Sequence, residues 1–296
     1  MHIIFISLSI LKGFFYAKKM KKIAIQGIQG AFHEVAAQKH FGKDIQVVEC
    51  LSFKELCEAL QHEKVDYAIM AIENTIAGSL LPNYALIREY KFKIIGEVFL
   101  NIKMNLMTLK NVNLDEISVV ESHPIALQQC KEYIYENMPN AKMRESNDTA
   151  ESAKDLRDSN DTHKAIIAAE RCSELYDLDI LEKGIETNKH NFTRFLILNK
   201  DGITSSENNK ASLSLQLGHE VGSLATILTI FKTHHVNLTK IQSVPIIGSP
   251  YEYHFHIDIE WKDNKEYESA LNEIIKKVSS FSLLGEYKKA KYSLNN

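Results

Sequence analysis

Tyr67-Ala68-Ile69-Met70-Ala71-Ile72-Glu73-Asn74-Thr75 is an unbroken apolar run that ends in three polar residues. A strand with one wet face alternates, whereas a continuous run of this length marks a strand buried on both faces, as in a sheet covered by helices. Upstream, Ile23-Ala24-Ile25 leads into Gly27, Gly30 and a helix over 33–41. A strand over 45–49 follows, then a helix over 52–61 that Ser52 opens, with Glu55 three residues on as a capping box. Downstream the spacing predicts strands at 94–100, 105–109, 118–121, 165–168 and 192–198, with helices at 124–136, 149–158 and 170–176. This alternation is α/β, with a largely parallel sheet arrangement and two lobes around a cleft. In open α/β sheets ligands bind beyond the carboxyl ends of strands, so the polar strand ends are the places to look for chemistry.

The stretch 200–210, rich in Ser, Asn, Asp and Gly, reads as a linker. Beyond it Leu213, Leu215 and Leu217 alternate, and Leu224, Ile227, Leu228 and Phe231 recur at helical spacing. Strands over 236–244 and 251–259, a helix around Leu271, Ile274, Ile275 and Val278, and a last strand over 280–287 complete βαββαβ, the ferredoxin-like order.

A length of 296 residues accommodates about two domains. Hydrophobic content of 45% and charged content of 25% are globular values, which argues against disorder. A net charge of −3 supplies no global attraction to nucleic acid or anionic membrane. Cys50, Cys57, Cys130 and Cys172 form no CxxC pair or framework spacing and read as ordinary thiols of a cytoplasmic protein. The apolar stretch 1–16 is followed, not preceded, by lysines, the reverse of a signal peptide, and it is too short to span a membrane as a helix. Residues 1–19 are therefore expected to be an extension upstream of a natural start at Met20, with a membrane anchor as the alternative.

Four strand ends carry polar clusters: Gln26-Gly27-Ile28-Gln29-Gly30-Ala31-Phe32, Ile72-Glu73-Asn74-Thr75, Ser122-His123-Pro124 followed by Gln128-Gln129-Cys130, and Asn191-Phe192-Thr193-Arg194-Phe195. Taken singly, each has an ordinary structural explanation in turn geometry, helix capping or β propensity. Together and in this order they resemble the prephenate dehydratase family across nearly the whole chain from Met20. The match runs through the Gly-rich segment, the Ile-Glu-Asn-Thr segment with Gly78, the Ser-His-Pro segment and the Thr-Arg-Phe segment. The resemblance implies a catalytic region at 20–199 built like a periplasmic binding protein, with lobes at roughly 20–98 plus 185–199 and at 99–184. It implies an ACT regulatory domain at 211–296 after the linker.

The implied reaction converts prephenate to phenylpyruvate with loss of carbon dioxide and water, and it calls for no metal or organic cofactor. Thr193 is the implied catalytic residue, a hydrogen-bond donor to the leaving hydroxyl. Gly30, Ala31, Phe32, Asn74, Thr75, Ser122, Gln129, Arg194 and Phe195 are the expected substrate-binding residues, with Glu73, His123 and Asn191 in support. Successive residues of a strand face opposite ways, so Thr193 and Arg194 reach one substrate only if the strand ends or bulges there; otherwise Arg194 is a structural ion pair. Glu73 reads either as a proton-transfer partner or as a packing group, and His123 either as an acid–base group or as a helix-start residue.

The resemblance further implies that L-phenylalanine binds near Gly222, Ser223, Leu224, Asn237, Leu238 and Ser243 and inhibits, and that the chain forms a homodimer or homotetramer. The family's Glu-Ser-Arg-Pro segment is Gln242-Ser243-Val244-Pro245 here, which bears on the strength of that feedback. Its fused relatives carry a chorismate mutase domain upstream, for which 19 residues give no room. Arogenate dehydratase, with the same machinery, and a non-catalytic small-molecule sensor are the alternatives. His254 and His256 share a strand face with Glu252, Asp258 and Glu260, a pattern read as a solvated face rather than a metal patch.

Overall fold

The computed structural model describes residues 20–202, 205–218, 220–246, 248–250 and 252–291; the expectations for residues 1–19 lie outside them. In chain order the elements of the first lobe begin with β1 (Lys21–Gln26), α1 (Phe32–Phe41), β2 (Ile45–Cys50), α2 (Phe53–Gln61) and β3 (Tyr67–Asn74). They continue with β4 (Gly78–Ser79), α3 (Leu81–Glu89) and β5 (Lys93–Asn101). The second lobe holds β6 (Asn105–Thr108), β7 (Val119–Ser122), α4 (Pro124–Gln129), α5 (Lys131–Asn137), β8 (Lys142–Glu145), α6 (Thr149–Ser159), β9 (Lys164–Ala168), α7 (Arg171–Tyr176) and β10 (Asp179–Glu182). The chain then returns to the first lobe as β11 (Phe192–Asn199). The C-terminal part is β12 (Lys210–Gln216), α8 (Ser223–Thr233), β13 (Asn237–Pro245), β14 (Tyr253–Glu260), α9 (Asn264–Ile274) and β15 (Ser280–Tyr287).

The first sheet is ordered β2-β1-β3-β11-β5, with β4 paired to β3. β1 runs parallel to β2 and β3, and β11 lies antiparallel between β3 and β5. The second sheet is β10-β6-β9-β7-β8. Both are α/β but mixed rather than largely parallel, because β11 returns against its neighbours and β6 opposes β9. The apolar run of β3 is buried as its pattern requires: Met70 and Ile72 enter one core and Ile69 and Ala71 the other. Within α2 the cap is split. Ser52 Oγ accepts from Glu55 N at 3.1 Å, while the Glu55 carboxylate reaches one residue further back, to Leu51 N at 2.8 Å.

The C-terminal sheet, ordered β13-β14-β12-β15, is antiparallel and ferredoxin-like. Leu213, Leu215, Ile257 and Ile259 pack on Ile227 and Phe231 of α8 and on Tyr267 and Ile274 of α9. The opposite face of this sheet carries Ser212, Ser214, His256 and Asp258, all buried. The reading of that face as solvated is therefore corrected: it is docked against the first lobe. Leu284 and Tyr287 join the first lobe's core, as does Val244, which stands where the family has Arg. At Gly285 the two backbones nearly touch, and a Cβ there would sit 2.0 Å from Ile94 O.

Among the described residues no helix is long and apolar enough to cross a membrane. The four cysteines are free and buried. Burial pushes the thiols of Cys57, Cys130 and Cys172 up to about 12.

Candidate active site

A cavity of about 280 Å³ opens between the lobes, and Gln26, Ala71, Asn74, Gln129, Asp148 and Thr193 are among its lining residues. Thr193 and Phe195 share its face of β11, whereas Phe192 and Arg194 line a separate cavity of about 840 Å³ behind the strand, against the C-terminal domain. Alternation along β3 alone would put Ala71 and Asn74 on opposite faces. Both line the cleft because the pairing of β3 with β11 shifts register: Arg194 is opposite Glu73, but Phe195 is opposite Ala71. The extra residue, Ile72, makes a bulge that re-aims Asn74.

Asn74 then organises the site. Its Oδ1 accepts from Ile76 N at 2.9 Å and Ala77 N at 2.8 Å, which fixes the amide's orientation. Its Nδ2 donates to Asn191 Oδ1 at 2.8 Å and to Thr193 Oγ1 at 2.9 Å. Asn191 Nδ2 in turn donates to Gln129 Oε1 at 2.9 Å, joining the two lobes across the cleft. Because Thr193 Oγ1 accepts from Asn74, its own hydroxyl proton is left for a ligand. His123 Nδ1 accepts from Ile125 N at 3.3 Å, so the neutral ring carries its proton on Nε2, a second donor. Ala31, the N-cap of α1, supplies no side-chain cap. Ala31, Phe32 and His33 all line the cavity, so the first N–H groups of that helix lie at its wall.

His33 is packed between the rings of Phe53 and Phe195, with centroids 5.7 Å and 5.0 Å away. Burial pushes its pKa down to about 3, so it is neutral at physiological pH.

Of the expected site residues of the catalytic region, Ala31, Phe32, Asn74, Gln129 and Phe195 line the cavity, as do Thr193, His123 and Asn191. Five others lie elsewhere. Gly30 N donates to Glu34 Oε2 at 2.5 Å, and a Cβ at Gly30 would meet Cys172 Sγ at 2.8 Å, so this turn is a packing point between the lobes. Thr75 Oγ1 donates to His190 O at 3.0 Å and accepts from Phe192 N at 2.9 Å, tying two loops together. Ser122, fully buried, donates to Ile167 O at 2.6 Å. Glu73 faces away from the cleft and pairs with Lys240 at 2.8 Å.

Arg194 is the fifth, and it is a structural ion pair rather than a cleft residue. Its guanidinium bonds Glu97 Oε2 at 2.8 Å, Asp258 Oδ2, and the Tyr287 hydroxyl at 3.1 Å. Lys210 completes the cluster at 3.0 Å from Glu97. Burial alone would raise the Asp258 pKa, but the charge of Arg194 and the Ser212 hydrogen bond outweigh it and hold the carboxyl below its ordinary value.

Gly222, Ser223 and Leu224 open α8, whereas Asn237 and Leu238 begin β13 past its other end. The 11 residues of α8 span about 16 Å, so one chain does not bring the two halves of that expected effector site together. Ser243 is exposed on β13. His33, Asp148 and Thr149 line the cleft without having been singled out from the sequence, and Gln26 does so as a member of the first polar cluster that was given no role of its own.

Fold and cleft together define a two-lobed α/β enzyme for a small molecule, with neutral donors gathered around one threonine and a ferredoxin-like domain docked behind it. The family model for prephenate dehydratase matches residues 23–203, and the chain belongs to that family. A bifunctional chorismate mutase/prephenate dehydratase of Buchnera aphidicola is 32% identical, covering 88% of this chain and 69% of the relative. The arogenate dehydratase/prephenate dehydratase 2 of Arabidopsis thaliana is also 32% identical, over 90% of this chain and 72% of its own length. The crystal structure of the prephenate dehydratase from Arthrobacter aurescens in complex with L-Phe superposes with a TM-score of 0.81 at 26% identity, covering 90% of this chain and 89% of that one.

Proposed function

We propose that the cleft carries out the decarboxylating dehydration of prephenate to phenylpyruvate, with Thr193 as its catalytic donor. The ring carboxylate leaves as carbon dioxide, its electron pair becomes part of the aromatic ring, and the ring hydroxyl leaves as hydroxide that needs one proton to become water. The observation that carries this reading is the 2.9 Å hydrogen bond from Asn74 Nδ2 to Thr193 Oγ1, which turns the threonine proton outward. A threonine hydroxyl is a poor free acid, so Thr193 stabilises the departing oxygen and relays a proton from solvent rather than ionising. His123 Nε2–H and the Gln129 amide hold carboxylate oxygens without fixing the one that must depart.

Phenylpyruvate formation from prephenate tests the reading. The wild-type protein should be active and Thr193→Ala slower by about 10²–10³-fold. No wild-type turnover would sink the enzyme assignment; full activity in the variant would remove only the role of Thr193.

The C-terminal domain is proposed to be an ACT module that binds L-phenylalanine through Gly222–Leu224 of one chain and Asn237–Leu238 of a second copy in a cytoplasmic homodimer or homotetramer. The separation of these segments along α8 supports the need for a second chain. Binding heat and inhibition at millimolar L-phenylalanine are expected; the absence of both would refute it.

A further inference from the structure

Prephenate carries two carboxylates, yet the described residues lining the cleft include no lysine or arginine and one carboxylate, Asp148. Three of the cations near the site are committed elsewhere. Arg194 faces the C-terminal domain, Arg171 pairs with Glu34 at 3.5 Å and Glu174 at 2.8 Å, and Lys189 donates to the carbonyls of Gly184 and Glu186.

Asp148 is held firmly. It is the N-cap of α6, and its Oδ1 accepts from Ala150 N at 2.7 Å and Glu151 N at 3.2 Å. That leaves Oδ2, which lies over the turn of the opposite lobe: a Cβ on Gly27 would be 3.1 Å from it. A carboxylate with one oxygen fixed by the helix and the other directed across a cleft that lacks a cation favours a ligand that brings its own.

The two side chains that this ring chemistry admits differ at that point. A pyruvyl group offers a ketone and a carboxylate, neither of which can donate to Asp148. An alanyl group, as in arogenate, keeps that carboxylate but replaces the ketone with an ammonium, which can donate. We propose that Asp148 is the residue that reads the side chain, its Oδ2 receiving the ammonium, so that the cleft favours arogenate over prephenate. The inference rests on the dehydratase reading and leaves Thr193 in the same role for either ring.

The test is kcat/KM on both substrates for the wild type, Asp148→Asn and Asp148→Ser. Asparagine and serine also cap helices well, so α6 should persist, and unchanged thermal melting checks this. The wild type should favour arogenate. The variants should lose about 10- to 100-fold on arogenate, mainly through KM, since a hydrogen bond to a charged group is worth that factor. They should gain on prephenate as the repelling charge goes, so the preference narrows or inverts. Turnover of prephenate alone, or the same substrate ratio in all three proteins, overturns this inference while leaving the dehydratase assignment standing. Turnover of neither substrate overturns both.

Discussion

Thr193 and Arg194 are consecutive in β11 and face opposite compartments: Thr193 the cleft between the lobes, Arg194 a buried charge cluster shared with the C-terminal domain. One strand thus holds the reacting group on one side and the interdomain anchor on the other.

Substituting the two should therefore separate chemistry from stability. Thr193→Ala should slow turnover by about 10²–10³-fold and leave the melting temperature nearly unchanged. Arg194→Ala leaves Asp258 buried without its cation and Glu97 with Lys210 alone, a loss of about 3–5 kcal/mol. Calorimetric melting of both variants decides; an Arg194→Ala protein that melts with the wild type would show that the cluster is solvated.

Asn74→Asp keeps the shape and the acceptor for Ile76 and Ala77 but removes the donor to Thr193. Steady-state kinetics should show kcat reduced by about 10²–10³, close to the loss for Thr193→Ala, because both changes disable one preorganised donor. A double variant no worse than either single one would confirm that they act as a unit.

Gly285→Ala places a methyl group against Ile94 O, where 2.0 Å is available. The sheet of the C-terminal domain must back away from β5, at a cost of about 1–3 kcal/mol. A lower melting temperature and faster proteolysis between the first lobe and the C-terminal domain are the expected readouts, and wild-type resistance would argue against the close approach.

Burial holds His33 down at about 3 and His256 at about 4. Both values lie below the ordinary 6.5, so the unfolded chain binds more protons across that window. Their contribution is complete above about 6.5 and is lost as pH falls toward 4, at up to ~1.4 kcal/mol per pH unit for each group. Between pH 6 and 5 the two together should remove roughly 2–3 kcal/mol. The lowered carboxyl of Asp258 adds its own loss only further into acid, below the usual aspartate value. His234, half-buried and raised chiefly by its hydrogen bond to Glu273, works in the opposite sense: its stabilisation is present in acid and lost as pH rises through its raised pKa. Solvent screening keeps that term small. Urea midpoints at pH 7, 6 and 5 should fall in that order, and His256→Gln should flatten the slope.

The two-lobed α/β architecture and the βαββαβ order were legible because burial leaves periodicity in the sequence: the unbroken run of β3 and the alternation of β14 are written in side chains. Where burial is absent, so is the signal. β8, Lys142-Met143-Arg144-Glu145, is an exposed edge strand with no apolar face, and its pattern does not announce it. Missing β8 also hid Asp148, since the turn after an unseen strand is not recognised as a strand end, although Asp148 three residues before Glu151 carries a capping signature. The bulge at Ile72 and the docking of Ser212, His256 and Asp258 on the first lobe depend on contacts between segments far apart in the chain. That polar alternation is therefore indistinguishable, in one dimension, from a wet surface.

The place of β11 has a consequence for how the molecule is made. β3 and β5 each pair with β11 along much of their length, and β11 separates them in the sheet. The first lobe is therefore an open sheet until residue 199 has left the ribosome, whereas the strands of the second lobe, Asn105 to Glu182, are all available before that moment. Domains complete in sequence fold during synthesis, and a gap between two unpaired strand edges is an aggregation hazard while it lasts. The segment that carries Thr193 is thus also the last piece of its sheet to arrive, so a nascent chain acquires its catalytic threonine in the same step that seals the lobe.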